Sequence, residues 1–326
     1  MKYHFYIPKY LMSKSKPLLN KLIQLLSLFF FGLAFWLILK DVEKVGFSTI
    51  VQMILQTPIW VVLLALFFVF CNYLTLCGYD ALSLDYIHTK LPFKTIFKTS
   101  ALGFAVSNTV GHAYISGGAI RYLLYTPFDI SRAKILILIA FETLTLFMGM
   151  GLIYVTATFL LPFSDELNTA HYLKTFYIVS FSIIIAFICY IYLIIKPKKN
   201  LRIGGVTLKA PDKSTTYLQL LIGFTDNFLL SVIFYTFLRY HLEVSFLSVF
   251  IVFTLAQITA QASQVPGGLG VLTSLFLLLF PHAESDKGSI LTSLFLYRIT
   301  YFFIPFFLSL FYLAFYEIKK YILKNG

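Results

Sequence analysis

The chain has 326 residues, a length that in a water-soluble protein gives one large or two small domains. With 59% hydrophobic, 18% aromatic and only 12% charged residues, it lacks the polar surface of such domains, of which about a quarter of residues are charged. The formal net charge of +12 sits in short connections between apolar runs; that is the pattern of residues orienting a membrane protein against anionic lipid, and it argues against a nucleic-acid partner.

In chain order, residues 1–21 form a basic N-terminal segment (Lys2, Lys9, Lys14, Lys16, Lys21). The apolar run 22–39 is too long for the core of a cleavable signal and has no small-residue cleavage pattern after it, so it reads as a retained first span. Further full spans are expected near 58–79, 133–161, 173–195, 217–238 and 289–316, each long enough to cross a hydrocarbon core of about 30 Å. Residues 40–57 and 162–172 read as short polar connections. In the long loop 196–216, Leu201-Arg-Ile-Gly-Gly-Val-Thr-Leu alternates around a glycine pair and predicts a small hairpin. A basic tail, 317–326, follows the last span. Cys71, Cys77 and Cys189 lie in apolar runs without metal-ligand or CxxC spacing and read as packing residues.

Two more apolar segments, 95–126 and 245–281, are interrupted. If the N-terminus is cytoplasmic, the basic residues before and after 95–126 fall on the cytoplasmic side only when that segment enters and leaves by the same face. The Lys319, Lys320 and Lys324 tail likewise requires 245–281 to enter and leave by the outer face. Nineteen of the 26 Lys and Arg are then cytoplasmic. The fold class is thus an all-α polytopic membrane protein: six spans and two oppositely inserted re-entrant hairpins in one membrane domain, 22–316. A competing reading makes 245–266 a complete span.

The interrupted segments resemble each other. The first carries Asn108, Thr109, His112 and then Ser116-Gly117-Gly118-Ala-Ile-Arg121; the second carries Gln257, Gln261, Gln264 and then Pro266-Gly267-Gly268-Leu-Gly-Val271. Each is expected to break at its glycine pair. Paired broken helices of opposite orientation point to a polar cavity near the membrane midplane; the alternative is that each pair serves a tight turn or a close helix contact. The three glutamines share one helical face.

Arg121, Glu142, Asp226 and Arg298 lie within apolar segments, where each would cost about 2.5–3.5 kcal/mol if it faced lipid at the helix centre. They could neutralise one another as ion pairs that fix helix register. Alternatively, the two guanidiniums bind an anionic group, for which a planar fork suits phosphate, and the acids position them or carry protons. His112 has no metal-binding set around it. No P-loop, nucleophile elbow, acidic metal pair or zinc signature occurs, so no cofactor, metal site or catalytic residue is expected.

At these residues the chain resembles the lysylphosphatidylglycerol synthase transmembrane region family and its stand-alone inner-membrane relatives. The matching pieces are Gly111-His112, Ser116-Gly-Gly-Ala-Ile-Arg-Tyr122 with Tyr125, Glu142, Thr225-Asp226-Asn227, Pro266-Gly-Gly-Leu-Gly-Val271 and Leu296-Tyr297-Arg298 with Pro305. The family commonly has an acid shortly after the PGGLGV element, where this chain has Thr273. The resemblance implies a bacterial or archaeal cytoplasmic-membrane protein that moves a phospholipid or lipid-linked molecule between leaflets, with both termini cytoplasmic and any lipid-modifying enzyme on a separate chain. On this reading Arg121 and Arg298, with Gly117, Gly118, Gly267 and Gly268, receive the headgroup. Glu142, Asp226, Asn108, His112, Gln257, Gln261, Gln264 and Tyr297 line the cavity or couple charge. The rivals are a transferase acting on a lipid-linked phosphate, for which Asp80 and Asp85 are the nearest acid pair, and a non-transporting assembly factor.

Overall fold

A computed structural model describes residues 47–325, apart from 111–112, 165–166, 168–171, 196–200, 204–205, 209–210, 264–270 and 281–285. The expected first span, and with it the N-terminal segment, lies outside these residues, as do His112, Gln264, Gly267 and Gly268. The remaining five expected spans are all present as helices long and apolar enough to cross a membrane: Ile59–Tyr86, Arg132–Phe163, Leu173–Tyr192, Lys213–His241 and Lys287–Phe315. The protein is an all-α polytopic membrane protein.

Helix α1 (Phe47–Gln56) leads into α2 (Ile59–Tyr86), which is followed by α3 (Phe93–Val110), α4 (Ala113–Tyr125) and α5 (Arg132–Leu160). Next come α6 (Leu173–Ile195), strands β1 (Leu201–Ile203) and β2 (Val206–Leu208), and α7 (Lys213–His241). Helices α8 (Phe246–Ser263), α9 (Val271–Leu279), α10 (Lys287–Arg298) and α11 (Ile304–Asn325) complete the chain, with a π-helical turn at Ile299–Phe303 joining the last two. The expected surface hairpin forms with Leu201 opposite Leu208 and Ile203 opposite Val206. Within the expected connection 40–57, Phe47–Gln56 is a helix rather than a polar loop, because Phe47, Ile50, Val51 and Ile54 recur at helical spacing. Met53 of α1 packs on α10, its Sδ receiving the Thr292 hydroxyl at 3.3 Å.

Helix α2 shows how the sequence sorts lipid from protein. Trp60, Leu63, Phe67, Phe70 and Leu74 follow an i, i+3, i+7, i+10, i+14 stripe and are all at least 40% exposed, so this stripe faces the hydrocarbon. Asn72, Leu76, Tyr79 and Ser83 repeat at the same period on the opposite side and are buried. Helix α6 is nearly all apolar and mostly exposed along its length, as befits a peripheral span that packs chiefly on α5.

The centre is α7 with α2 and α5, which it meets in the two most extensive helix pairs among the described residues. Helices α5 and α7 cross at Gly149 and Gly223: a Cβ at Gly149 would lie 2.2 Å from the Gly223 backbone, and one at Gly223 would lie 2.6 Å from the Gly149 Cα. Only glycines permit that approach, a device common where membrane helices meet without a hydrophobic driving force between them.

Helices α3 and α4 pack on each other as a hairpin that opens at the face where α2 ends and α5 begins, marked by the Lys134–Thr89 hydrogen bond of 3.0 Å. Helices α8 and α9 also pack on each other, and open at the other face, where Ser164 meets Ser248 at 2.7 Å and Thr57 meets His241 at 3.1 Å. The two hairpins therefore enter from opposite faces, as the distribution of basic residues leads one to expect.

One expectation fails here. Gly117 and Gly118 do not break a helix: α4 (Ala113–Tyr125) runs through both. The glycines instead let the hairpin arms and α5 close in. A Cβ at Gly117 would meet the Ser107 Cβ at 3.1 Å and the Gly103 carbonyl at 3.2 Å, and one at Gly118 would meet Ile139 at 2.8 Å.

Gly149→Ala and Gly223→Ala should each lower the thermal unfolding midpoint of the purified protein in detergent, by at least the ~1–3 kcal/mol typical of overpacking, since the opposing atoms are backbone. Gly78→Ala, whose Cβ would meet only the flexible Ile222 side chain at 3.2 Å, should shift it far less. Equal midpoints for the three variants would refute the crossing.

Candidate functional site

Three buried charges meet where α2, α4 and α5 converge. Asp80, on the buried side of α2, is 0% exposed, Arg121 of α4 is 2% exposed and Glu142 of α5 is 7% exposed. Arg121 Nη2 lies 2.6 Å from Asp80 Oδ1, and its Nε is 3.2 Å from both Asp80 oxygens. The same Nη2 is 3.1 Å from Glu142 Oε2. The Tyr125 hydroxyl donates to Asp80 Oδ2 at 2.6 Å, one turn after Arg121 on the same face of α4. The guanidinium also stacks over the Phe104 ring of α3, 4.7 Å from its centroid.

This arrangement corrects the role expected of Arg121. Its positive charge is already opposed by two carboxylates, so the cluster carries a net charge of −1 when both acids are ionised and offers no uncompensated cation to a phosphate. The ion-pair alternative describes it, with a partner that the sequence reading missed. Asp80 lies one residue past the expected end of its span at 79, whereas α2 continues to Tyr86, which turns Asp80 inward as a membrane-buried acid. Its buried neighbours Asn72, Leu76, Tyr79 and Ser83, spaced at helical period, are the signal that could have extended the span.

A second polar group lies deeper along α2. Asp226 of α7, 4% exposed, accepts at Oδ1 from Asn72 Nδ2 (2.8 Å) and at Oδ2 from the Tyr79 hydroxyl (2.9 Å). The Asn72 amide also reaches the Asp226 carbonyl at 3.0 Å. Tyr301, in the π-helical turn, donates to Asn72 Oδ1 at 3.2 Å and receives Asn108 Nδ2 of α3 at 3.2 Å. No cation forms an ion pair with Asp226 among the described residues. Tyr79 and Arg121 flank the same Phe104 ring, Tyr79 at 5.7 Å between centroids, so the two clusters adjoin through one aromatic side chain.

Tyr297 is fully buried and stacks on Tyr301 at 5.6 Å, and Arg298, 5% exposed, ends α10 beside the π turn. The extra residue of a π turn re-aims side chains inside a span and recurs at functional positions; here it presents Tyr301 to Asn72 and Asn108. Gln257 is half-buried and Gln261 exposed on α8. Thr273 of α9, at the position where an acid was expected, is 7% exposed, and its hydroxyl has no hydrogen-bond partner among the described residues. The structure thus joins Asp226 and Asn108 in one network, and Arg121 and Glu142 in another. It puts Tyr297 and Arg298 beside the first of these. Among the described residues, no three His, Cys, Asp or Glu side chains are grouped to hold a metal ion.

Removing Arg121 leaves two buried carboxylates without their shared counter-charge, which costs about 3–5 kcal/mol. Arg121→Ala should therefore fail to yield monodisperse protein or should unfold at markedly lower temperature. Arg121→Lys should not rescue, because a lysine cannot reproduce the fork on Asp80. Tyr125→Phe, which removes one buried donor, should cost about 1–3 kcal/mol. A thermally unaltered Arg121→Ala would contradict this account.

The comparisons with known proteins agree with the fold. Residues 24–309 match the family described as the lysylphosphatidylglycerol synthase TM region. A protein of Synechocystis sp., slr0712, is 34% identical over 245 residues, 72% of each chain. The inner membrane protein YbhN of Escherichia coli is 25% identical over 307 residues, covering 92% of this chain and 93% of its own. The phosphatidylglycerol lysyltransferase of Bacillus subtilis is 25% identical over 222 residues, which is 67% of this chain but 25% of that larger protein. With nearly its whole membrane body matched, the chain belongs to the lysylphosphatidylglycerol synthase TM region family.

Proposed function

We propose that the protein moves a phospholipid or lipid-linked molecule between the leaflets of a bacterial or archaeal cytoplasmic membrane without altering it chemically. The observation that carries this reading is the polar network of Asp226, Asn72, Tyr79, Tyr301 and Asn108, which draws on α2, α3, α7 and the π turn within an otherwise apolar body. Polar groups cost free energy in hydrocarbon, and in membrane proteins they mark pathways for polar cargo. Two hairpins entering from opposite faces beside such a network match the architecture of proteins that open alternately to either side.

In this scheme the headgroup passes along the network while the acyl chains stay in lipid. Arg298 receives the phosphate in place of Arg121, whose charge is spent on Asp80 and Glu142. Tyr297 and the α8 amides of Gln257 and Gln261 supply neutral contacts. The glycine pair at 267–268 keeps its proposed place as a backbone donor. The face holding Lys90, Lys94, Lys98, Arg132 and Lys134 is the cytoplasmic one, by the excess of basic residues there. The transferase alternative loses its acid pair, because both oxygens of Asp80 accept hydrogen bonds from Arg121 and Tyr125, while Asp85 is exposed at the helix end.

The test is leaflet exchange of a fluorescent phosphatidylglycerol in vesicles of phosphatidylglycerol and phosphatidylcholine, followed with a membrane-impermeant quencher. The parent protein should accelerate exchange over empty vesicles, and Arg298→Ala should slow it by about tenfold, the loss of one charged hydrogen bond to phosphate. Exchange no faster than in empty vesicles would sink the translocation reading. Unchanged exchange in Arg298→Ala would remove that residue from it, and new lipid species in the vesicles would favour a transferase.

A further inference from the structure

The triad leaves one atom unexplained. Glu142 Oε1 is buried and has no hydrogen-bond partner among the described residues, while its neighbour Oε2 rests on Arg121 Nη2. Every other oxygen of the two acids is engaged: Asp80 takes the Arg121 fork and the Tyr125 hydroxyl. The two contacts to Nη2 are also unequal, 2.6 Å to Asp80 and 3.1 Å to Glu142. Charge-assisted bonds are the shorter ones, so the ionised partner of Arg121 is Asp80.

We infer that Glu142 is a proton-binding site: it carries a proton on Oε1 while Asp80 and Arg121 form a neutral pair, and it releases that proton when its carboxylate takes over Arg121. A single free oxygen in a buried cluster of net charge −1 suits one proton. A metal ion such as calcium would take about 6–8 oxygens. An ionised carboxylate with a bare oxygen in an apolar interior is far costlier than the neutral acid.

The groups that surround Glu142 leave the choice to this triad. From α2 come Asp80 and Tyr79, the latter bonded to Asp226, and from α4 come Arg121 and Tyr125. From α7 the titratable group at this depth is Asp226, held by Asn72 and Tyr79. Helix α6 brings Tyr190, bonded to Gln219 at 3.2 Å, and α8 contains no ionisable residue. Arg121 is the cation in contact with Glu142 among the described residues.

The consequence is mechanical. Arg121 belongs to the α3–α4 hairpin, Asp80 to α2 and Glu142 to α5. A protonated Glu142 leaves the hairpin anchored to α2; an ionised one competes for the guanidinium and draws the hairpin toward α5. The proton is taken from water and returned to it, and the grip of the hairpin changes with it. This coupling role rests on the translocation reading, whereas the proton site does not.

Infrared spectroscopy of the protein in phosphatidylcholine vesicles at neutral pH tests the site without any transported lipid. The parent should show the carbonyl stretch of a neutral buried carboxylic acid, shifting in deuterated water. Glu142→Gln should lose that component and Asp226→Asn should keep it. In Asp80→Asn, Glu142 becomes the sole counter-charge to Arg121 and ionises, so the band should vanish although the carboxyl is still there. A band that survives Glu142→Gln, or that persists in a folded Asp80→Asn, overturns the proposal. If the band behaves as stated and no lipid exchange occurs, the translocation reading fails and the proton site stands.

Discussion

The fork of Arg121 on Asp80, with Glu142 on the same nitrogen, is the constraint on which the rest of the site depends. It ties α2, the first hairpin and α5 at one point inside the membrane body. Such pairs seldom add net stability over apolar packing, but once present they do not tolerate loss of the cation that both acids share. They therefore act as register locks: the depth of α4 in the membrane is set by where Asp80 stands on α2. The small residues Gly103, Ser107 and Gly117 follow from that lock, because the arms must be close for the guanidinium to reach across them; a Cβ at Gly103 would lie 3.0 Å from Arg121 Nη1.

Lipid as solvent explains the remainder of the architecture. With apolar surroundings on the outside, exclusion from water does not drive the helices together, so association falls to close contact and hydrogen bonds. Both are visible at the centre. Gly149 and Gly223 bring α5 and α7 into backbone contact. Beside that crossing, Gln219 donates to the Thr145 hydroxyl at 3.1 Å. The Asp226 network then spans four elements through hydrogen bonds, with no ion pair to Asp226 among the described residues.

Much of this was legible in the sequence, and the misses have physical causes. Hydropathy locates spans well because every backbone group in lipid must be bonded within a helix, and the distribution of basic residues predicts that the two hairpins open on opposite faces. Span ends are weaker, because a helix continues past the last apolar residue whenever its polar side chains find partners inside the protein. That is how Asp80 was placed outside the membrane and left out of the triad. Arg121, Glu142 and Asp226 stood out as charges in apolar runs, but which charges meet depends on helix rotation and depth, which one sequence does not encode locally. The glycine pair at 117–118 was misread because Gly-Gly marks a broken helix and a tight helix contact equally well. The π turn left no signal before it.

The two hairpins are inverted in position but not in chemistry. The first brings Arg121 and, through its neighbours, two acids; the second, from Phe246 to Leu279, contains no ionisable side chain at all. Charge is thus concentrated on one side of the body and dipoles on the other, with Asp226 and Arg298 at the border. On the proposed translocation, a headgroup entering past the second hairpin would meet amides and hydroxyls first and fixed charge only at the centre. A symmetric pathway would bind the headgroup equally at both ends and hold it there. An asymmetric one needs a change of charge at the centre to let it go, and of the buried groups Glu142 has the atom on which such a change can occur.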